Sequence, residues 1–164
     1  MKPAALMSLV LVAILGGCSE SPTEYIADEF TVAQLTTQAG YAWFAPEKNS
    51  YQPDPNVLAQ IQTRLDVLDS CYLFVNPSCT CNGTQKHFPH FVRCMEQAGF
   101  PVERIKIVSM RSASTKHHYM SRFQVQQLPT FFLDLKTGAD RKIEPPDDPN
   151  ARIEELIAQA LSGQ

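Results

Sequence analysis

The chain has 164 residues, 44% of them hydrophobic and 19% charged, with a formal net charge of −3. That length and apolar content fit one main domain with a buried core. No block of basic residues occurs, so nucleic acid is not an expected partner.

The chain opens "MKPAALMSLVLVAILGGCSE". Lys2 supplies a positive charge, and the apolar run from Ala4 to Leu15 is too short to span a bilayer. Small residues follow it, so residues 1–17 read as a signal peptide. Leu15-Gly16-Gly17-Cys18 resembles the bacterial lipobox. The resemblance implies that Cys18 is diacylglycerated, that cleavage falls before it and that the new amino terminus is acylated. Several acyl chains on one residue give lasting anchorage where one would not. Ser19 after the cysteine, in place of Asp, favours the outer membrane by the enterobacterial rule. An ordinary secretory signal with a chance cysteine is the alternative. Cleavage leaves about 147 residues and a net charge of about −4.

Residues 18–29, including the polar and acidic "SESPTEYIADE", read as a lipid-anchored tether, and 30–164 as the folded domain. "FTVAQLTTQAG" is expected to hold one or two helical turns capped by Thr31. "YAWFA" (41–45) reads as a strand and "PEKNSYQPDP" as a loop. Asp54 before Pro55 starts a helix with the stripe Leu58, Ile61, Leu65 and Leu68. "CYLFV" (71–75) is a buried-strand pattern. Phe88, Phe91, Val92 and Met95 form a second stripe over 84–98, closed by Gly99 and Pro101. "RIKIVSM" (104–110) alternates as a strand, and the first part of "STKHHYMSRFQV" (114–125) is expected to be helical. "PTFFLDL" and "ADRKIE" flank the turn "KTG" as a hairpin. Asn150 is placed as cap of a last helix with the stripe Ile153, Leu156, Ile157, Ala160 and Leu161. Alternating helices and strands ending in a hairpin and a helix imply an α/β fold with a mixed sheet covered on both faces.

The chemistry centres on "FVNPSCTCNGTQ" (74–85), where Cys79 and Cys81 stand between a strand and a helix. A thiolate is the nucleophile of disulfide exchange, and the free amides of a helix start favour negative charge. Cys71 and Cys94 complete the set beyond Cys18. Four cysteines allow three full pairings, among which the sequence does not choose.

The element order, the junction cysteines and "FQVQQLPTFFLDLKTG" (123–138) together resemble the thioredoxin-like superfamily over about residues 55–162. The resemblance implies a three-layer sandwich, a mixed central sheet flanked by helices. It also implies a cis bond at Leu128–Pro129 and a substrate groove of Leu128, Pro129 and Thr130. Thioredoxins carry Cys-x-x-Cys, whereas this chain has Cys-Thr-Cys, so two registers are open. Either Cys79 aligns with the attacking cysteine, or Cys81 does and Thr84 takes the resolving place. Pro89, five residues after Thr84, favours Cys81 as nucleophile and Cys79 as resolver. The small ring of a Cys-x-Cys disulfide suits an oxidant or isomerase.

The function expected is therefore thiol–disulfide oxidoreduction in the cell envelope, facing the periplasm. Its partners would be envelope protein thiols or disulfides, and it would need no cofactor. A Cys71–Cys94 bridge is a possible structural disulfide. Two other classes stay open. One is a copper chaperone using Cys79, Cys81 and His117, with thiolates selecting Cu(I). The other is a redox-silent binding module. Zinc is not expected, since the cysteines do not form two well-spaced pairs.

Overall fold

A computed structural model of the protein describes residues 25–163, so the expected signal peptide, Cys18 and most of the expected tether lie outside the described residues. Five strands form one mixed sheet: β1 (Asp28–Thr31), β2 (Leu68–Val75), β3 (Ile105–Ser109), β4 (Thr130–Leu135) and β5 (Asp140–Ile143), in the order β1-β3-β2-β4-β5. β2 runs parallel to β3, and the other pairs are antiparallel. Among the described residues the α-helices are α1 (Phe44–Ser50), α2 (Pro55–Gln62), α3 (Phe88–Ala98) and α4 (Ile153–Ser162). None of these helices is long and apolar enough to cross a membrane.

β2 is the middle strand, and its sequence explains why. "LDSCYLFV" is almost wholly apolar in its second half, which suits a strand packed on both faces. Cys71, Leu73 and Val75 enter the larger core, with Phe88, Phe91 and Met95 of α3 and Ile157 of α4. Phe74 enters a smaller core on the other face with Val108, Phe123 and Phe132.

All four of these α-helices place buried apolar residues in the larger core, so among the described residues α-helices cover one face of the sheet and not both. The expected helix within 114–125 is absent, and turns fill that segment. Ser and Thr side chains there compete with the helical backbone. Thr115 Oγ1 accepts from the Ser112 amide at 3.1 Å, and the Ser112 and Ser114 hydroxyls bond at 2.9 Å. Tyr119 and Phe123 still seal the face by packing on Tyr72. Arg122 clamps the segment to β4 and β5 through Asp134 and Asp140.

Several sequence expectations move at their edges. Residues 41–45 are not a strand. Tyr41 and Phe44 lie three apart, a helical spacing, and both pack on the Phe88 ring as α1 begins. Pro46 is tolerated in the first turn of α1, where its missing N–H has no partner to lose. Asp28 and Glu29, expected to belong to the tether, instead pair with Ser109 and Val108 of β3. The α2 stripe stops at Ile61; Leu65 lies in a 3₁₀ turn and Leu68 already opens β2. Asp54 caps α2 as read, accepting from the Asn56 amide at 2.7 Å. Gly99 ends α3 with φ of 87°, the left-handed region in which glycine has no steric penalty. Arg152, not Asn150, precedes α4 as its cap.

One buried carboxylate ties α4 to the α1–α2 connection. Glu154 has no exposed surface. It accepts from the Tyr51 hydroxyl, from the Asp54 amide at 3.1 Å and from Arg152 Nε at 2.7 Å. Burial by itself would raise the Glu154 carboxyl, but these hydrogen bonds outweigh it and hold the group below its ordinary value. A depressed carboxyl stabilises the fold above the ordinary glutamate range, and that contribution is lost as pH falls through the folded-state value. Urea midpoints should therefore be level near neutrality and drop on acidification. Glu154→Gln should lower neutral stability by about 2 kcal/mol and flatten the acid limb. An unchanged acid limb would show that Glu154 does not control it.

Candidate active site

Strand pairing decides where the candidate site residues meet. β4 is antiparallel to β2, with Phe74 opposite Thr130, so the residues just before β4 meet those just after β2. β5 is antiparallel to β4, with Phe131 opposite Ile143, so the chain leaving β5 reaches the same rim. Three loops thus converge there: the cysteine turn, 127–129 and 144–148.

The cysteine turn is built by Asn76. Its Oδ1 accepts from the Ser78 amide at 3.0 Å, its carbonyl accepts from the Cys79 amide at 3.1 Å, and its Nδ2 donates to the Arg111 carbonyl at 3.1 Å. This Asx turn bends the chain sharply as it leaves β2. Cys79 and Cys81 are joined as a disulfide with their Cα atoms 5.4 Å apart. The Cys81 amide points at Cys79 Sγ at 3.2 Å. The Thr84 hydroxyl lies 3.5 Å from Cys81 Sγ, and because a disulfide sulfur can only accept, the hydroxyl is the donor. Both cysteines are partly exposed.

The helix that follows starts with a wide turn. Gly83–His87 adopts π geometry before α3 proper, closed by the Phe88 amide on the Gly83 carbonyl. Pro89 accounts for this. It has no N–H for the Gln85 carbonyl, and its ring would press on that carbonyl in a regular α-turn.

Leu128–Pro129 is a cis peptide bond. Pro129 packs directly on the cysteine loop: a Cβ on Gly83 would stand 2.8 Å from its Cγ and Cδ. Leu128 and Pro129 line the same cavity as Cys79 and Cys81. Thr130 does not: it is fully buried, and its hydroxyl donates to the Gln127 carbonyl at 2.7 Å, bracing the turn.

The far wall comes from 144–148, a segment that sequence reasoning missed. Glu144, Pro145, Pro146 and Asp147 all line the cavity. The Asn82 amide donates to Asp147 Oδ1 at 2.8 Å, so one of the helix-start amides expected to be free is already taken. His87 Nε2 donates to the Asp148 carbonyl at 2.9 Å and ties the wall to the start of α3, while its buried Nδ1 has no hydrogen-bond partner among the described residues. The one available signal was compositional: the acids and paired prolines of "EPPDD" mark a stiff polar loop.

The other candidates lie elsewhere. Cys71 and Cys94 are free thiols, not a bridge. Cys71 sits mid-sheet opposite Leu133, whereas Cys94 lies on α3 near Glu154 and Arg152. Burial pushes both thiols well above the ordinary range, with Asp134 adding to the effect on Cys71 and Glu154 to that on Cys94. His117 packs against Phe74 with ring centroids 4.8 Å apart and lines a different cavity from the cysteines, so the set Cys79, Cys81 and His117 is not assembled. No group of three His, Cys, Asp or Glu side chains suited to a metal occurs among the described residues. His90 is stacked on Tyr51 and bonded to Glu47 at 2.8 Å.

The contact between Gly83 and Pro129 can be tested directly. Gly83→Ala forces apart two loops that now touch, at a cost of about 1–3 kcal/mol typical of overpacking. Chemical denaturation should report that loss as a lower midpoint. A variant as stable as the parent would show that the contact constrains nothing. No protein family, no curated protein and no solved structure matches the chain.

Proposed function

We propose that the protein is a thioredoxin-like thiol–disulfide oxidoreductase of the bacterial cell envelope, held at the membrane by lipid on Cys18. The observation that carries the reading is a partly exposed Cys79–Cys81 disulfide. It opens into a groove at the start of a helix, against the cis-proline Pro129. The sheet order, the closing β4–β5 hairpin and the terminal α4 support the thioredoxin-like assignment. The missing helix between β3 and β4 is a departure from the expected sandwich.

A substrate thiolate attacks the Cys79–Cys81 bond, a mixed disulfide forms and the displaced cysteine leaves as a thiolate. In the reverse direction thiolate Cys81 attacks a substrate disulfide and Cys79 resolves the intermediate. The Thr84 hydroxyl stabilises negative charge on Cys81. Cys71 and Cys94 take no part, since each is fully buried. Their burial as unbridged thiols also counts against a framework in which all four cysteines are structural.

Equilibration of the purified protein in glutathione buffers of graded potential, followed by disulfide mapping, tests the reading. Cys79 and Cys81 should join and part reversibly while Cys71 and Cys94 stay reduced. Cys81→Ser should abolish exchange, whereas Cys94→Ala should change stability alone. A Cys81→Ser variant with full activity would overturn the mechanism. Anchorage is checked separately: the parent should partition with membranes, and Cys18→Ser should be released from them. Equal partitioning of the two would remove the lipid from the proposal.

A further inference from the structure

The groove beside the disulfide is electrically one-sided. Glu144 and Asp147 line it, both acidic, and no basic residue does. Glu144 is ion-paired with Lys142 at 2.9 Å. Asp147 forms no ion pair among the described residues. It is nonetheless fixed in place. Its Oδ1 accepts from the amide of Asn82, the residue next to Cys81, while Pro146 precedes it and His87 pins the carbonyl of Asp148. A carboxylate already immobilised loses little freedom when a cation docks on it. Asp147 is solvent-exposed, so its field is screened by water and salt, and the apolar walls of Leu128, Pro129 and Pro145 limit that screening on the groove side.

We propose that the partner is a polypeptide whose reacting cysteine is flanked by lysine or arginine, the cation seated on Asp147 as the sulfur reaches the Cys79–Cys81 disulfide. This rests on the oxidoreductase reading above. The groove, about 400 Å³, is open and walled by proline and leucine, which suits an extended peptide better than a small thiol. A net-negative thiol such as glutathione meets like charge there.

The redox step balances within the pair. One substrate thiolate attacks the disulfide, the Cys79–Cys81 bond breaks, and a mixed disulfide forms as the displaced cysteine leaves. The second substrate thiolate attacks that mixed disulfide, and the substrate departs as its own disulfide. The substrate loses two electrons, and Cys79 and Cys81 hold them as a dithiol together with two protons.

The test uses the full-length oxidised protein in detergent and three reduced dithiol peptides, identical except for lysine, alanine or glutamate flanking the cysteines. At low salt the lysine peptide should be oxidised about tenfold faster than the glutamate peptide, and added salt should shrink that ratio. Asp147→Asn keeps an oxygen for the Asn82 amide but removes the charge, and should reduce the ratio to about twofold. The ratio, unlike a single rate, is not moved by a general change in cysteine reactivity. Equal rates for the three peptides would overturn the basic-partner inference and leave the oxidoreductase reading standing. A ratio unaltered in Asp147→Asn would overturn the role of Asp147. Failure to oxidise any of the peptides would bring down both the inference and the reading beneath it.

Discussion

A strand packed on both faces can present reactive polar groups to solvent only where it ends. β2 is such a strand, hydrogen-bonded to β3 on one side and β4 on the other, with side chains in both cores. Whatever follows Val75 must therefore emerge at the rim of the sheet. Antiparallel pairing then brings the start of β4 and the end of β5 to that rim, whatever the loops contain. The convergence of the cysteines with Pro129 and the acidic wall is a consequence of strand direction. The short-range chemistry only refines it, through the bare face of Gly83 and the Asx turn at Asn76.

The two faces of the sheet are closed by different means. Helices with apolar stripes cover the larger core, and much of their packing passes through Phe88, whose ring contacts Tyr41, Trp43 and Phe44. On the other side an irregular segment is held by aromatic contacts and by the fork of Arg122 across Asp134 and Asp140. Asp134 is nearly buried and also accepts from the Ser70 hydroxyl at 3.1 Å, so its charge is compensated from both sides. Such a segment needs few backbone hydrogen bonds of its own, because side chains anchor it to an already rigid sheet.

Burial sorts the cysteines. Two lie in the larger core, where an uncharged thiol is favoured and no partner can reach them. Two lie in a groove where a partner can. The groove also holds a compromise. Asp147 satisfies one orphan amide at the helix start and so steadies the cysteine loop. The same carboxylate withholds that amide from a thiolate on Cys81 and adds negative charge nearby. The Thr84 hydroxyl, 3.5 Å from Cys81 Sγ, offsets part of this.

Local rules were enough for much of the chain. The Asp54 cap with Pro55 behind it, the apolar run of β2, the stripe of α3 closed by Gly99, the strand of 105–109 and the terminal hairpin and helix are all legible, because each depends on neighbours within a turn or a few residues. The placement of Cys79 and Cys81 together at a strand–helix junction was visible as a pattern of spacing, but their pairing with each other was not. Other features depended on distant partners. Residues 28–31 became a strand because β3 had a free edge, and 41–45 did not, because Tyr41 and Phe44 found Phe88. Residues 114–125 stayed irregular because two of their aromatics and Arg122 were better used against the sheet. The acidic wall is the clearest case, since Asn82 and Asp147 lie 65 residues apart and meet only because strand directions carry both to one rim. The sequence by itself determined which residues could be reactive and where most elements start and stop. The tertiary structure alone decided which thiols are accessible and what charge stands beside them, because both depend on contacts between segments that sequence separation does not encode.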